Sequence, residues 1–327
     1  MILVTGAAGF IGSVITARLI GQGHQVAACD RFETGQKWRN LAKHPVVDIV
    51  APQSLCDWVK ANGQDIEAIV HMGAISATTE TDVDLIVETN FRLSRDLWRL
   101  AAEYGVRFIY ASSAATYGAG EQGFRDDQSA DYLAGLRPLN AYGWSKALFD
   151  VAAIRMAQQD AAPPFWAGLK FFNVYGPNEY HKGGQRSVVH QIYEQVRDTG
   201  RARLFQSHHP DYEDGGQLRD FVWVEDCAAM VDWLLEAEPG QSGLYNCGTG
   251  KARSFLDLAR AVFAAMDREP DIHFVPTPDA IRRHYQYFTE ADMAKARAAG
   301  FAQNPVSLED GVARYVREFL LTDDPYR

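Results

Sequence analysis

Short apolar runs alternate with longer amphipathic stretches through the first half of the chain. Ile2-Leu3-Val4 runs into Gly6, and Ile11, Val14, Ile15, Leu19 and Ile20 then recur at helical spacing up to Gly21, which predicts strand, turn and helix. Val26 to Cys29 stops at Asp30, and further strand-like runs lie at Val46-Val47, Ile66 to His71 and Phe108 to Ser112. A helical pattern covers Leu85 to Tyr104. Short strands separated by helix-length segments predict a parallel sheet with right-handed crossovers, hence a doubly wound α/β fold.

After about residue 180 the alternation loosens at Gly183-Gly184, at the polar stretch from Gln206 to Gln217 and at Val275 to Pro278. Loops of this kind commonly carry specificity. Phe221 to Trp223 and Gly243 to Cys247 again read as short strands, and Cys227 to Leu235 as a helix. Both strands are expected to return to the main sheet. The division that follows is 1–172 plus about 219–248 for the first domain, and about 173–218 plus 249–327 for a smaller, partly discontinuous α/β domain.

Composition narrows the function classes. The chain has 327 residues, 47% hydrophobic and 23% charged, which suits a packed enzyme-sized fold rather than disorder or coiled coil. A net charge of −10 would repel a phosphate backbone or an anionic bilayer, so neither nucleic acid nor membrane is an expected partner. Cys29, Cys56, Cys227 and Cys247 are far apart and lack ligand spacing, so no disulfide framework and no metal site is expected. The first residues carry no basic lead and no apolar run is long enough to span a bilayer, which predicts a soluble cytoplasmic protein.

Gly6-Ala7-Ala8-Gly9-Phe10-Ile11-Gly12 is a G-x-x-G-x-x-G placed between the first strand and the first helix. There, backbone N–H groups and the helix dipole can receive a pyrophosphate, so this first domain is expected to be a Rossmann-type dinucleotide-binding unit. Asp30 at the end of the second strand suits a ribose with a free 2′-hydroxyl. Arg31 beside it and Lys37 seven residues beyond could neutralise a 2′-phosphate instead, and together they favour NADP over NAD.

Tyr142-Gly143-Trp144-Ser145-Lys146 is Y-x-x-x-K, which on a helix sets Tyr and Lys one turn apart on one face. Alone, Tyr142 would read as a packed helix residue. Here it follows Ser112-Ser113 by 29 residues and lies downstream of the glycine loop. That combination, with Ser113-Ala114-Ala115-Thr116-Tyr117-Gly118, Phe172-Asn173-Val174-Tyr175-Gly176-Pro177 and Arg219-Asp220-Phe221-Val222, resembles the extended short-chain dehydrogenase/reductase family over essentially the whole chain. A tyrosine near its ordinary pKa of ~10 needs nearby positive charge before it can act as a base, and Lys146 and an oxidised nicotinamide can supply it. The resemblance assigns Ser113 to the substrate oxygen and Lys146 also to the nicotinamide ribose.

Within that family, Asn178-Glu179-Tyr180-His181-Lys182-Gly183-Gly184, Ala74-Ile75-Ser76-Ala77-Thr78-Thr79-Glu80, Leu244 to Phe255 and Tyr285-Gln286-Tyr287-Phe288-Thr289 are similar to the ADP-glyceromanno-heptose 6-epimerases. The resemblance implies inversion at C6 through a transient 6-ketone, in the supply of lipopolysaccharide core precursors, with Lys182 as a second acid/base. It further implies cofactor contacts at Gly73, Ala74, Ile75, Ser76, Ala77, Asn90, Val174 and Lys182. Substrate contacts fall on Asn173, Gly184, Gln191, Leu204, Phe205, Gln206, Ser207, Arg219 and Tyr285, with Arg219 toward the diphosphate. It also implies a homo-oligomer, a pentamer being one candidate. Arg31 and the stretch Ser207 to Gln217 depart from the subfamily pattern. The rival readings are a nucleotide-sugar 4-epimerase, which shares the triad, and a dinucleotide-sensing regulator, which tends to lack the Tyr or Lys retained here.

Overall fold

The computed structural model describes residues 1–278, 282 and 286–327. The chain opens with strand β1 (Ile2–Thr5), helix α1 (Phe10–Gly21), and strands β2 (Val26–Cys29) and β3 (Asp48–Val50). Helix α2 (Leu55–Asn62) leads to β4 (Ala68–His71). Helix α3 (Val83–Ile86), a π-helical turn (Val87–Arg92) and helix α4 (Leu93–Tyr104) follow one another without a break and lead to β5 (Arg107–Ser113). Helices α5 (Ala130–Gly135) and α6 (Ala141–Gln158) precede β6 (Trp166–Phe171). Beyond lie β7 (Asn173–Tyr175), α7 (Val188–Thr199), β8 (Ala202–Phe205), β9 (Leu218–Arg219), β10 (Phe221–Trp223), α8 (Val224–Leu235), β11 (Gly243–Cys247) and β12 (Arg253–Ser254). Helix α9 (Phe255–Ala265), strand β13 (Ile272–Val275), and helices α10 (Ala294–Ala298) and α11 (Leu308–Tyr315) complete the described elements.

The doubly wound fold is present as a seven-stranded parallel sheet in the order β11-β6-β5-β4-β1-β2-β3. Every residue of β1, β2 and β4 is buried, so these central strands read as continuous apolar runs rather than as alternation. The strand order reverses on either side of β1, and the carboxyl ends of β1 and β4 therefore border the crevice where such sheets hold their ligands.

Two expected strands fall elsewhere. The third strand is Asp48–Val50, not Val46-Val47, although the Val47 N–H still donates to Val26 O at 2.9 Å. It lies at the sheet edge, where Ile49 is exposed and the apolar signal is weak. β11 does join the main sheet beside β6, whereas β10 pairs with β7 in a separate two-stranded parallel ladder. Two hydrophobic cores result. The second gathers Tyr175, Val189, Ile192, Val262, Val312 and Tyr315, but Ala291, Met293, Ala296 and Phe301, expected with it, pack into the first.

Candidate active site

The glycine loop is shaped by contacts that leave no room for side chains. Gly6 has φ +64°, and a Cβ there would lie 2.7 Å from the Gly73 nitrogen after β4. A Cβ on Gly12 would lie 2.1 Å from Gly6 O, so α1 can begin this close to the turn only with glycine. No side chain caps α1, whose N-cap is Gly9. The first turn, carrying Phe10 and Ile11, thus offers its N–H groups to an anion.

Asp30 does more than wait for a ribose. Its Oδ2 accepts the Ala8 N–H at 2.8 Å, and its Oδ1 accepts the Arg31 N–H at 2.7 Å and Lys37 Nζ at 2.5 Å. Lys37 also donates to Arg31 O. The lysine expected on a 2′-phosphate is therefore engaged in neutralising Asp30, and the exposed Arg31 is the remaining cation at that end.

At the end of β4 a relay of hydroxyls fixes the segment Gly73 to Ala77. Thr5 Oγ1 accepts the Gly73 N–H at 3.0 Å and lies 2.6 Å from His71 Nδ1. Ser94 gives its hydrogen to Asn90 O and so accepts from His71 Nε2, which leaves Nδ1 of the neutral ring to accept the Thr5 hydroxyl. Burial, with Lys146 adding repulsion, holds His71 at about 3, so it is neutral. The Asn90 amide, expected near the cofactor, donates to Ile75 O and Ser145 Oγ and accepts the Ile75 N–H, so both of its hydrogens position Ile75 and the start of α6.

The catalytic candidates converge from β5 and α6. Asn140 caps α6 by accepting the Gly143 N–H at 2.8 Å, which starts the helix one residue before Tyr142. Burial raises the Tyr142 pKa above its ordinary value, with Ser113 opposing the rise and the Asp150 carboxylate adding to it. With its pKa raised, Tyr142 is a neutral phenol until further positive charge is brought to it. Burial drops Lys146 to about 8, with Asp150 opposing. No hydrogen bond to its Nζ occurs among the described residues, which leaves it available to a bound ligand.

Lys182 arrives on a short helical turn, Tyr180–Gln185. It lines a cavity of about 260 Å³ with Phe10, Asn173, Val174 and Glu179. Its Nζ lies 5.6 Å from the centroid of the Phe10 ring. Burial lowers its pKa below the ordinary lysine value, and the Glu179 carboxylate opposes the shift. Two asparagines to which the sequence assigned no role fasten this turn. Asn40 Nδ2 donates to Ala8 O and Asn178 O, and Asn178 Nδ2 donates to Ser13 Oγ, whose hydrogen goes to Phe10 O. Asn178 has φ +72°, a conformation asparagine tolerates, which is the one local hint of its role.

The expected substrate residues are less gathered. Asn173 is exposed at the start of β7, with its N–H bonded to Asp220 O. Gly184 and Gln191 lie by the Lys182 turn, Gln191 donating to Arg186 O. Leu204 is buried in the second core, within β8. Phe205, Gln206 and Ser207 are half-buried at the end of that strand. The Arg219 guanidinium donates to Leu218 O and Gln286 O and lies 5.5 Å from the Phe255 ring. Tyr285 lies outside the described residues. Among the described residues no group of acids, histidines or cysteines could hold a metal, and no helix is long and apolar enough to cross a membrane.

A glycine loop at the start of α1, Ser113, Tyr142 and Lys146 converging from β5 and α6, and the buried Lys182 are the candidate groups of the site. Residues 2–248 match the NAD dependent epimerase/dehydratase family, to which the chain belongs, and the site takes a nicotinamide dinucleotide. An ADP-L-glycero-D-manno-heptose-6-epimerase of Nitratidesulfovibrio vulgaris (strain DP4) is 50% identical over 100% of both chains. The crystal structure of the Helicobacter pylori enzyme of that name is 26% identical, with a TM-score of 0.78 over 97% of this chain and 95% of that one. A Thermus thermophilus UDP-glucose 4-epimerase in complex with NAD is 27% identical, with a TM-score of 0.75 over 96% and 97%.

Proposed function

We propose that this chain inverts C6 of the heptose in ADP-glycero-manno-heptose. The observation that carries this reading is Lys182, largely buried on a cavity shared with Asn173 and the first turn of α1, which supports a second acid/base group besides Tyr142. A bound nicotinamide supplies the chemistry of taking the C6 hydride and giving it back to the other face. Ser113 holds the substrate oxygen and Tyr142 exchanges its proton. Lys146 contributes the positive charge that favours ionised Tyr142 once ligands exclude water. Lys182 serves the epimer whose hydroxyl lies on the other side, where a fixed tyrosine is badly placed. The relative at 50% identity over the full length carries the same activity in its name, which supports the substrate.

NADP is the proposed cofactor. Lys37 cancels the charge of Asp30 that would repel a 2′-phosphate, and Arg31 supplies the attractive charge. The test of function is to incubate the protein with ADP-D-glycero-D-manno-heptose and read the sugar by NMR. Conversion to the C6 epimer is expected. Inversion at C4, or dinucleotide binding without turnover, would point to the rival activities.

A further inference from the structure

Beneath the triad lies a buried ion pair that the reaction as described does not use. Lys170 on β6 and Asp150 on α6 are both fully buried, with Lys170 Nζ 2.6 Å from Asp150 Oδ2. Tyr110 and Ser112 of β5 donate to the two oxygens of the same carboxylate. Lys170 also donates to Thr116 Oγ1 at 2.8 Å, and Thr116 donates to Ser113 O at 2.8 Å. A third contact places Nζ 5.0 Å from the Tyr117 ring centroid.

Asp150 stands one turn beyond Lys146 and two beyond Tyr142 on the same helix face. A lysine in a sheet core carries a desolvation cost that a leucine would not, so its charge and reach need a reason. Its hydrogens go to α6 on one side and to the turn after Ser113 on the other.

We propose that Lys170 is a positioning residue for the reaction: its ammonium ties the helix carrying Tyr142 and Lys146 to the turn carrying Ser113, setting the distance between base and oxygen-holding hydroxyl. The inference rests on Tyr142 and Ser113 acting as proposed above. Misplacing two such groups by a fraction of an ångström costs turnover while leaving the dinucleotide loop, on β1 and α1, untouched.

The test uses Lys170→Met, Thr116→Val and the double variant Asp150→Asn/Lys170→Met, each assayed for kcat, KM and dinucleotide Kd. Lys170→Met leaves Asp150 buried and unpaired and can fail to fold. The double variant removes both charges together, and Thr116→Val is nearly isosteric and keeps them. The expected result is a kcat lower by roughly 10- to 100-fold in the variants lacking Lys170, and less in Thr116→Val, with KM and dinucleotide Kd within about twofold of the parent. A purely structural pair would lower the melting temperature and leave kcat of the folded fraction intact. Parental kcat in both the double variant and Thr116→Val overturns the inference. Tyr142→Phe, run alongside, separates the two failures: if it is inactive the role of Tyr142 stands without Lys170, and if it is active that role, on which the inference rests, falls.

Discussion

Lys182 sets its ammonium 5.6 Å from the face of Phe10, the first residue of α1. The second acid/base candidate is thereby attached to the turn proposed to receive the dinucleotide phosphates, rather than to the helix that carries Tyr142. One set of hydrogen bonds links that turn to the lysine's own, and the two asparagines beneath the contact become testable.

Asn40→Ala should weaken dinucleotide binding and lower kcat together. It removes the donors to Ala8 O and Asn178 O, which leaves two buried carbonyls without that partner. An unsatisfied buried group costs about 1–3 kcal/mol, so a loss of roughly 10-fold or more in dinucleotide affinity is expected. Isothermal titration and steady-state kinetics on the same variant check it. A change in affinity with unaltered kcat would mean that the Lys182 turn holds its place without Asn40.

Tyr142→Phe should keep the fold and the dinucleotide but lose turnover by roughly 10²–10⁴-fold, because one phenolic proton transfer is deleted. Cofactor content by absorbance and epimer formation by NMR read the two halves. Substantial epimerisation by this variant would remove Tyr142 from the chemistry.

Charge reversal at Arg31 distinguishes the dinucleotides. Arg31→Glu should weaken NADP by about tenfold or more while NAD changes little, since an attraction to the 2′-phosphate becomes repulsion. Equal losses measured by titration would show that Arg31 does not read the phosphate.

His71 gives an acid-side prediction. Its folded pKa of about 3 lies below the ordinary 6.5. Between those values the unfolded chain binds a proton that the folded chain does not, so stability falls as pH drops through 6.5 toward 3, by at most about 1.4 kcal/mol per pH unit. Denaturant titrations at pH 7 and pH 4.5 should show a smaller drop for His71→Gln than for the parent. An identical drop in both would assign the acid sensitivity to other groups.

The glycine loop was legible because each of its contacts is local: Gly6, Gly9 and Gly12 answer to a turn and a helix start within seven residues. Tyr142 and Lys146 were legible for the same reason, through one helical turn. Lys37 was not. Its position seven residues past Asp30 allowed either a phosphate or the carboxylate, and the hydrogen bond to Asp30 Oδ1 depends on how the loop after β2 folds back. The two-sided clasp of Asn90 on Ile75 spans 15 residues of sequence and was not legible either. Asn40, Asn178 and Lys170 act across 20 to 165 residues, so their partners cannot be read from the neighbouring sequence. The Phe221–Trp223 strand carries the apolar run of a sheet strand, but only the position of Asn173–Tyr175 decides which ladder it joins.

The division of labour between Tyr142 and Lys182 is the centre of the account, and Lys182→Met tests it most directly. Removing the lysine should abolish net inversion at C6 while Tyr142 still runs one half-reaction. A 6-aldehyde analogue of the sugar nucleotide has no configuration to invert, so it reports that half-reaction alone: one hydrated aldehyde is oxidised to the acid and its hydride reduces another to the alcohol. Acid and alcohol formed in equal amounts by Lys182→Met, from a protein that no longer interconverts the epimers, is the predicted result. Parental rates of epimerisation in Lys182→Met would contradict it and leave Tyr142 as the sole acid/base.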